Sequence, residues 1–195
     1  MLFRLHSIDT FENQQQRIEF LKLVMQLAFE LGPRLVVVQC PRIPDDETSD
    51  RAIRLRETLT ALGTFGDRVG TLVALEIGLD PAEKVRDYLN TFDVGSLGVN
   101  YDPANLLVNG HDPVKSLTPL AGKILQVHAR DARASTVSRG ASEVALGAGD
   151  IEWMTFVGTL VAAEYRGWVV VERENSDQRL VDVQRGVSFL KRFVV

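Results

Sequence analysis

The sequence predicts an α/β fold: a single incomplete (β/α) barrel over residues 1–195, with about five of eight strands in a parallel sheet. Three observations carry that reading. Short β-branched runs alternate with longer segments of helical period, the signature of βα units around a parallel sheet. Four residues able to do chemistry, Glu76, Asp102, His128 and Glu172, each close one of those runs, in TLVALE, LGVNYD, KILQVH and WVVVE. Positions 76, 102 and 128 lie 26 apart, about one strand plus one helix. A closed eight-stranded barrel typically needs about 250 residues. The chain has 195, and the expected shortfall is two or three βα units at its start.

Taken in order, MLFRLHS is a candidate remnant strand. Residues 12–31 read as a helix whose apolar face includes Ile18, Leu21, Val24, Leu27, Ala28 and Leu31, stopped by Gly32-Pro33. LVVV opens a strand over 35–40. PRIPDDETSD is a polar loop ending in cap residues, and Ala52, Leu55, Leu59 and Leu62 mark the next helix. Strands follow at 71–76, 97–102 and 123–128, with a short helix in PAEKVRDYLN and a weak one in DPVKSLTPL. Residues 129–149, rich in Ala, Ser, Gly and Arg, read as a long loop. Asp150 is expected to cap a helix with a buried stripe of Trp153, Phe156, Val157, Leu160 and Val161. The last strand is 167–172, and Leu180, Val183, Val187 and Leu190 line the last helix. Five strands cannot close a barrel set for eight. The apolar strand at 35–40 is therefore expected to form an exposed edge, and the chain to self-associate as a homo-oligomer or aggregate.

Composition excludes several classes. Apolar residues make up 45% and charged residues 25%, the balance of a soluble globular protein. A net charge of −4 with interspersed signs leaves no basic footprint for nucleic acid or for a membrane surface. One cysteine, Cys40, excludes an internal disulfide and fits a reducing cytosol. No apolar run reaches the roughly 20 residues that span a bilayer, and MLFRLHSIDT lacks the apolar core of a signal peptide. The expected location is cytoplasmic.

In a parallel barrel the C-terminal strand ends open on one face. Glu76, Asp102, His128 and Glu172 are therefore expected to converge, although they are distant in sequence. Their oxygens and single imidazole suit Mn²⁺, Mg²⁺, Co²⁺ or Zn²⁺ better than a thiolate-seeking metal. Each residue alone has an ordinary alternative. Glu76 could be the first solvated residue after its run, Asp102 a cap before Pro103, His128 a buried hydrogen-bonded ring, and Glu172 a partner of Arg173. Four such residues at four equivalent strand ends favour the metal.

The segments TLVALE, LGVNYDPANLL, HDPVKSLTPLAGKILQVHARDA, LGAGDIEW and YRGWVVVE resemble the C-terminal part of the xylose isomerase-like TIM-barrel superfamily, nearest its sugar phosphate isomerase/epimerase group. The resemblance covers residues from about 15 to 193. It implies a partial TIM barrel with one divalent metal held by Glu76, Asp102, His128 and Glu172. It also implies that Glu76 and Glu172 move protons, one removing the proton next to a substrate carbonyl and the other returning it. A metal that binds the carbonyl and a neighbouring hydroxyl would stabilise the enediolate, and a drier carboxylate beside it can act as base. The implied reaction is isomerisation or epimerisation of a sugar or sugar phosphate. The alternatives are a dehydratase of the inosose or dehydroshikimate type on the same metal site, and a degenerate barrel or gene fragment without catalysis.

The chain departs from the family pattern in places. A histidine often follows three residues after the metal aspartate; here Asn105 stands there, able to hydrogen-bond a hydroxyl but not to shuttle a proton. The motif His-x-Lys-Asp becomes His128-Ala129-Arg130-Asp131, and Arg130 is expected to bind an anionic substrate group bidentately. With Arg133 and Arg139 it makes the segment 129–149 cationic, which suggests phosphate. Asp131 is a partner of the site or a cap. The superfamily's abasic-site endonucleases need extra histidines on early strands and an Asp-x-His pair after the metal histidine. The segment ARDARASTVSRGASEVALGAG has neither histidine nor that pair, and the acidic charge disfavours DNA.

Overall fold

The computed structural model describes residues 7–134 and 141–193. Helix α1 (Gln14–Leu31) buries Arg17, Ile18, Leu21 and Met25 and ends at Gly32, whose φ of 103° only glycine adopts easily. The chain then enters β1 (Leu35–Gln39). Ser49 caps α2 (Asp50–Val69), its hydroxyl accepting from the Ala52 amide, and Leu55, Leu59 and Leu62 bury its inner face. Strand β2 (Leu72–Glu76), helix α3 (Ala82–Leu89) and strand β3 (Leu97–Tyr101) follow. Two short helices, α4 (Pro103–Val108) and α5 (Leu117–Leu120), lead to β4 (Ile124–Ala129). Strands β5 (Asp131–Ala134) and β6 (Ala141–Val144) form an antiparallel hairpin. The chain ends with α6 (Trp153–Ala162), β7 (Trp168–Val171) and α7 (Arg179–Leu190).

The main sheet is parallel, in the order β1-β2-β3-β4-β7, with helices as the connections: a half-barrel. All five expected strands are present. Register sets the heights of the strand-end residues. Glu76 pairs with Asn100, so Asp102 stands one side-chain step above Glu76. A bulge follows: Val99 pairs with Ile124, but Asn100 pairs with Gln126. The extra residue re-aims β4, so Gln126 and His128 share the face of Asn100 and Asp102. His128 pairs with Val170, which puts Glu172 one step higher again. The four residues rise as a staircase across the half-barrel, the stagger that barrel strands require.

The core lies between the sheet and its helices. Leu55, Leu59, Leu62, Tyr101, Leu106, Leu117, Leu120 and Phe156 are fully buried. Gly66 permits the α2–β2 approach, since a Cβ there would sit 2.5 Å from the Thr71 carbonyl oxygen.

Several sequence expectations change. Residues 129–149 are not a plain loop, because much of the segment pairs as the β5–β6 hairpin. Asp150 does not cap α6: Glu152 is at that position, and the Asp150 carboxylate accepts from the Ala134 amide instead. The helix expected across DPVKSLTPL shrinks to α5, and the unexpected α4 starts at Pro103. Leu27, Leu31, Val161, Leu180 and Val187 are exposed, not buried. β1 is indeed an edge strand, but Val36 and Val38 are covered by helices. The remnant strand expected in MLFRLHS falls mostly on residues 1–6, and Arg139 lies in 135–140; both lie outside the described residues.

Candidate metal centre

The staircase brings the four strand-end residues together. Ligand atoms of Glu76, Asp102 and His128 lie within 4.8 Å of one another. His128 Nδ1 is 3.6 Å from Glu76 Oε2 and 3.0 Å from Glu172 Oε2. Asp102 is fully buried, and Glu172, riding on the edge strand, is the most open at 30% side-chain exposure. Asp102 is also the cap of α4: its Oδ1 accepts from the Asn105 amide at 2.9 Å, with Pro103 at the first helical position. The cap and the site residue are therefore the same side chain.

Asn105 and Arg130 join the cluster. Asn105 Nδ2 donates to Glu76 Oε1 at 2.9 Å, so the amide orients that carboxylate. It can reach because residue 78 is glycine, at φ 153°; a Cβ there would fall 2.5 Å from the Asn105 Cβ. Arg130 is buried, with Nη1 donating to Asp102 Oδ2 at 2.9 Å and Nη2 to Glu174 Oε2 at 3.0 Å. The guanidinium expected to meet substrate thus already faces carboxylates.

Electrostatics follow from burial and crowding. Burial first, then Asp102 and Glu172, push the Glu76 carboxyl above its ordinary range, against the pull of His128 and Arg130. Burial likewise raises Asp102, with Arg130 opposing. Glu172 is held low, chiefly by the His128 ring. Burial alone would lower His128, but Glu172, Glu76 and Asp102 outweigh it and raise its pKa. Carboxylates outnumber cations here, and a divalent cation would relieve the imbalance.

A second observation tests the fit. His128 Nδ1 and Glu172 Oε2 are buried and lack a well-angled hydrogen-bond partner, despite their 3.0 Å separation. They face each other as an ion pair, and both are atoms able to ligate a metal. With the adjoining oxygens of Glu76 and Asp102 they suit a hard or borderline divalent ion.

The site contains residues that sequence reasoning missed. Glu143 and Glu174 both face Arg130, and nothing in their local sequence distinguishes them from surface acids. Asp131 proves to be an anchor: its carboxylate accepts from the Gly147 and Gly149 amides and from Trp153 Nε1, fixing the return of the hairpin to α6.

The model of the xylose isomerase-like TIM barrel family matches residues 3–193. The chain belongs to this family. Among solved structures, a xylose isomerase domain protein from Planctomyces limnophilus superposes with a TM-score of 0.87 at 25% identity, over 96% of this chain and 69% of that one. The IOLI protein, solved with a binding zinc atom, superposes with a TM-score of 0.72 at 20% identity, over 97% and 72% of the two chains. An inosose dehydratase from Geobacillus kaustophilus (strain HTA426) is 28% identical over 138 residues, 64% of this chain. That match spans only 42% of the dehydratase. Among the described residues no helix is long and apolar enough to cross a membrane.

Proposed function

We propose that the chain carries the metal-binding half of an isomerase or epimerase that moves a proton next to the carbonyl of a sugar or sugar phosphate. The observation that supports this is the cluster of Glu76, Asp102 and His128, whose ligand atoms lie within 4.8 Å of one another, with Glu172 Oε2 3.0 Å from His128 Nδ1. Those four residues would hold a divalent ion, which supplies Lewis-acid polarisation of a substrate carbonyl. Glu76 and Glu172 approach from opposite flanks of His128 and are assigned the proton transfers. Asn105 keeps one Glu76 oxygen oriented, and Asn105 and Arg130 are the groups assigned to meet substrate oxygens at the border of the site. The partner is a small carbohydrate. Neither nucleic acid nor a membrane is proposed.

A dehydratase of the inosose type is the second reading, favoured by the match to an inosose dehydratase. It would use the same base but expel a β-hydroxyl. Solvent deuterium exchange at the carbon next to the carbonyl, measured with Mn²⁺ on ketoses and an inosose, tests both. Exchange without loss of water supports the epimerase; loss of water supports the dehydratase. Glu76→Gln and Glu172→Gln should each slow exchange at least ~100-fold. Full exchange in both variants would remove the assigned roles. No exchange by the unmodified chain on any of these substrates would leave a non-catalytic barrel.

A further inference from the structure

We infer that Glu143 is a positioning residue: it latches the β5–β6 hairpin onto the turn after β7 and so fixes where Glu172 and Arg130 stand. The inference deepens the metal-site reading and rests on it.

The sheet stops holding the chain just where the site needs it. β7 ends at Val171, and Glu172 keeps only a 3.3 Å bond from its amide to the Ala129 carbonyl. The next residues run on toward α7 without strand pairing. Glu143 takes over there. Its Oε1 accepts from the Glu174 amide at 3.0 Å and its Oε2 from the Asn175 amide at 2.7 Å. Arg173 Nη1 stands 2.9 Å from Oε2, and Arg130 Nε 3.4 Å from Oε1. The Arg173 guanidinium continues to Asp182 on α7, with Nε donating at 3.1 Å.

One carboxylate thus joins the hairpin, the end of β4, the turn and, through Arg173, α7. Its side chain is 6% exposed. A carboxylate so buried is costly unless its oxygens are satisfied, and here each oxygen accepts from a backbone amide and has a guanidinium beside it. Burial would raise its pKa, but the two amides, Arg130 and Arg173 outweigh that and hold it below the ordinary range. The hairpin is a firm footing, because Asp131 at the start of β5 accepts from the Gly147 and Gly149 amides after β6 and from Trp153 Nε1. Losing the Glu143 carboxylate would free the backbone two and three residues beyond Glu172. It would also leave Arg130 to its other carboxylates, Asp102 among them. Changing the partners that orient metal ligands typically costs 10–100-fold in metal affinity.

The test compares the unmodified chain with Glu143→Ala, Glu143→Gln and Glu172→Gln. Mn²⁺ binding is followed by electron paramagnetic resonance of the free ion, and backbone exchange at 172–176 by hydrogen–deuterium mass spectrometry. Glu143→Ala should weaken Mn²⁺ binding roughly 10–100-fold and expose the 174 and 175 amides, with exchange in 124–128 unchanged. Glu143→Gln, which keeps one acceptor oxygen, should fall between; it decides the matter if the alanine variant does not fold. Unchanged Mn²⁺ affinity in Glu143→Ala, despite lost protection, would overturn the inference by reducing Glu143 to a structural tie. If the unmodified chain binds no Mn²⁺, the metal reading fails and the latch is judged on exchange alone. Protection at the Glu172 amide that disappears in Glu143→Ala together with that at 174–175 then supports it, and an unchanged rate at 172 overturns it.

Discussion

Strands β3 and β7 belong to the same parallel sheet, are both short, and have opposite surroundings. In β3, Val99 and Tyr101 are fully buried and even Asn100 is out of water. In β7, Trp168 is 78% exposed, with Val169 and Val170 near 40%. Their sequences do not foretell this, since WVVV is the more apolar of the two. The difference lies in their neighbours. β3 has β2 and β4 on its flanks, whereas among the described residues β7 pairs with β4 alone. Its partner helix α7 buries only Gly186 and leaves Leu180 and Val187 open. An apolar run therefore specifies a strand, while burial is specified by what the chain places on both sides of it.

The largest effects should separate the two regions by stability. Phe156, fully buried against Tyr101 and Trp153, should cost about 3–5 kcal/mol when changed to Ala. Trp168→Ala should change stability by no more than ~0.5 kcal/mol. Denaturant unfolding of both variants measures this. A Trp168→Ala loss as large as that of Phe156→Ala would show that the β7 face is covered in solution.

Association is the next lever. Trp168 pairs with Gln126, so it faces the concave side of the half-barrel together with Val170, two residues further along. An exposed apolar edge with unpaired backbone groups invites other chains. The unmodified chain should run larger than a monomer in size-exclusion chromatography with light scattering, and Trp168→Lys combined with Val170→Lys should shift it to the monomer. A strictly monomeric unmodified chain would contradict the comparison at its root.

The smallest effect contrasts the two edges. Cys40 follows β1 and is buried, and burial, with Asp80 and Asp9 nearby, pushes its thiol pKa up to about 12. Alkylation at pH 8 should proceed only as fast as the protein unfolds. Labelling at the rate of a free thiol would mean that the β1 edge is as open as β7.

Strands were legible because each is a local β-branched run ending in a polar residue, and the nearness of Glu76, Asp102, His128 and Glu172 was legible because parallel strands bring such ends together. What was missed depends on partners distant in sequence. The β5–β6 hairpin is made of Ala, Arg, Asp, Ser, Glu and Val in four-residue strands, too little β-branched character to stand out. Asp150 looked like a helix cap because an apolar stripe follows it, but the hairpin supplies the amide it accepts from. The six-residue α4 is too short to show a period, and its one signal, Asp102-Pro103, reads as an alternative to a site residue, although a cap can also stand beside Glu76 and His128 as Asp102 does. Arg130 looked like a free cation because the carboxylates around it come from 102, 143 and 174.

The strand order also sets a sequence of assembly. β1, β2 and β3 pair with their successors along the chain, whereas β7 reaches β4 only after the hairpin and α6. Closing that longer loop costs more entropy, and among the described residues β7 has a single neighbour to hold it, so this pairing is expected to form last and open first. Glu172 rides on it. If Glu172 completes the proposed metal site, that site forms only in molecules that have completed this pairing, and opening of the β7–α7 unit would remove Glu172 while Glu76, Asp102 and His128 stayed on the sheet from 35 to 129. Ion binding and edge closure then draw on one shared equilibrium: a bound ion would stiffen the weakest strand of the sheet by mass action.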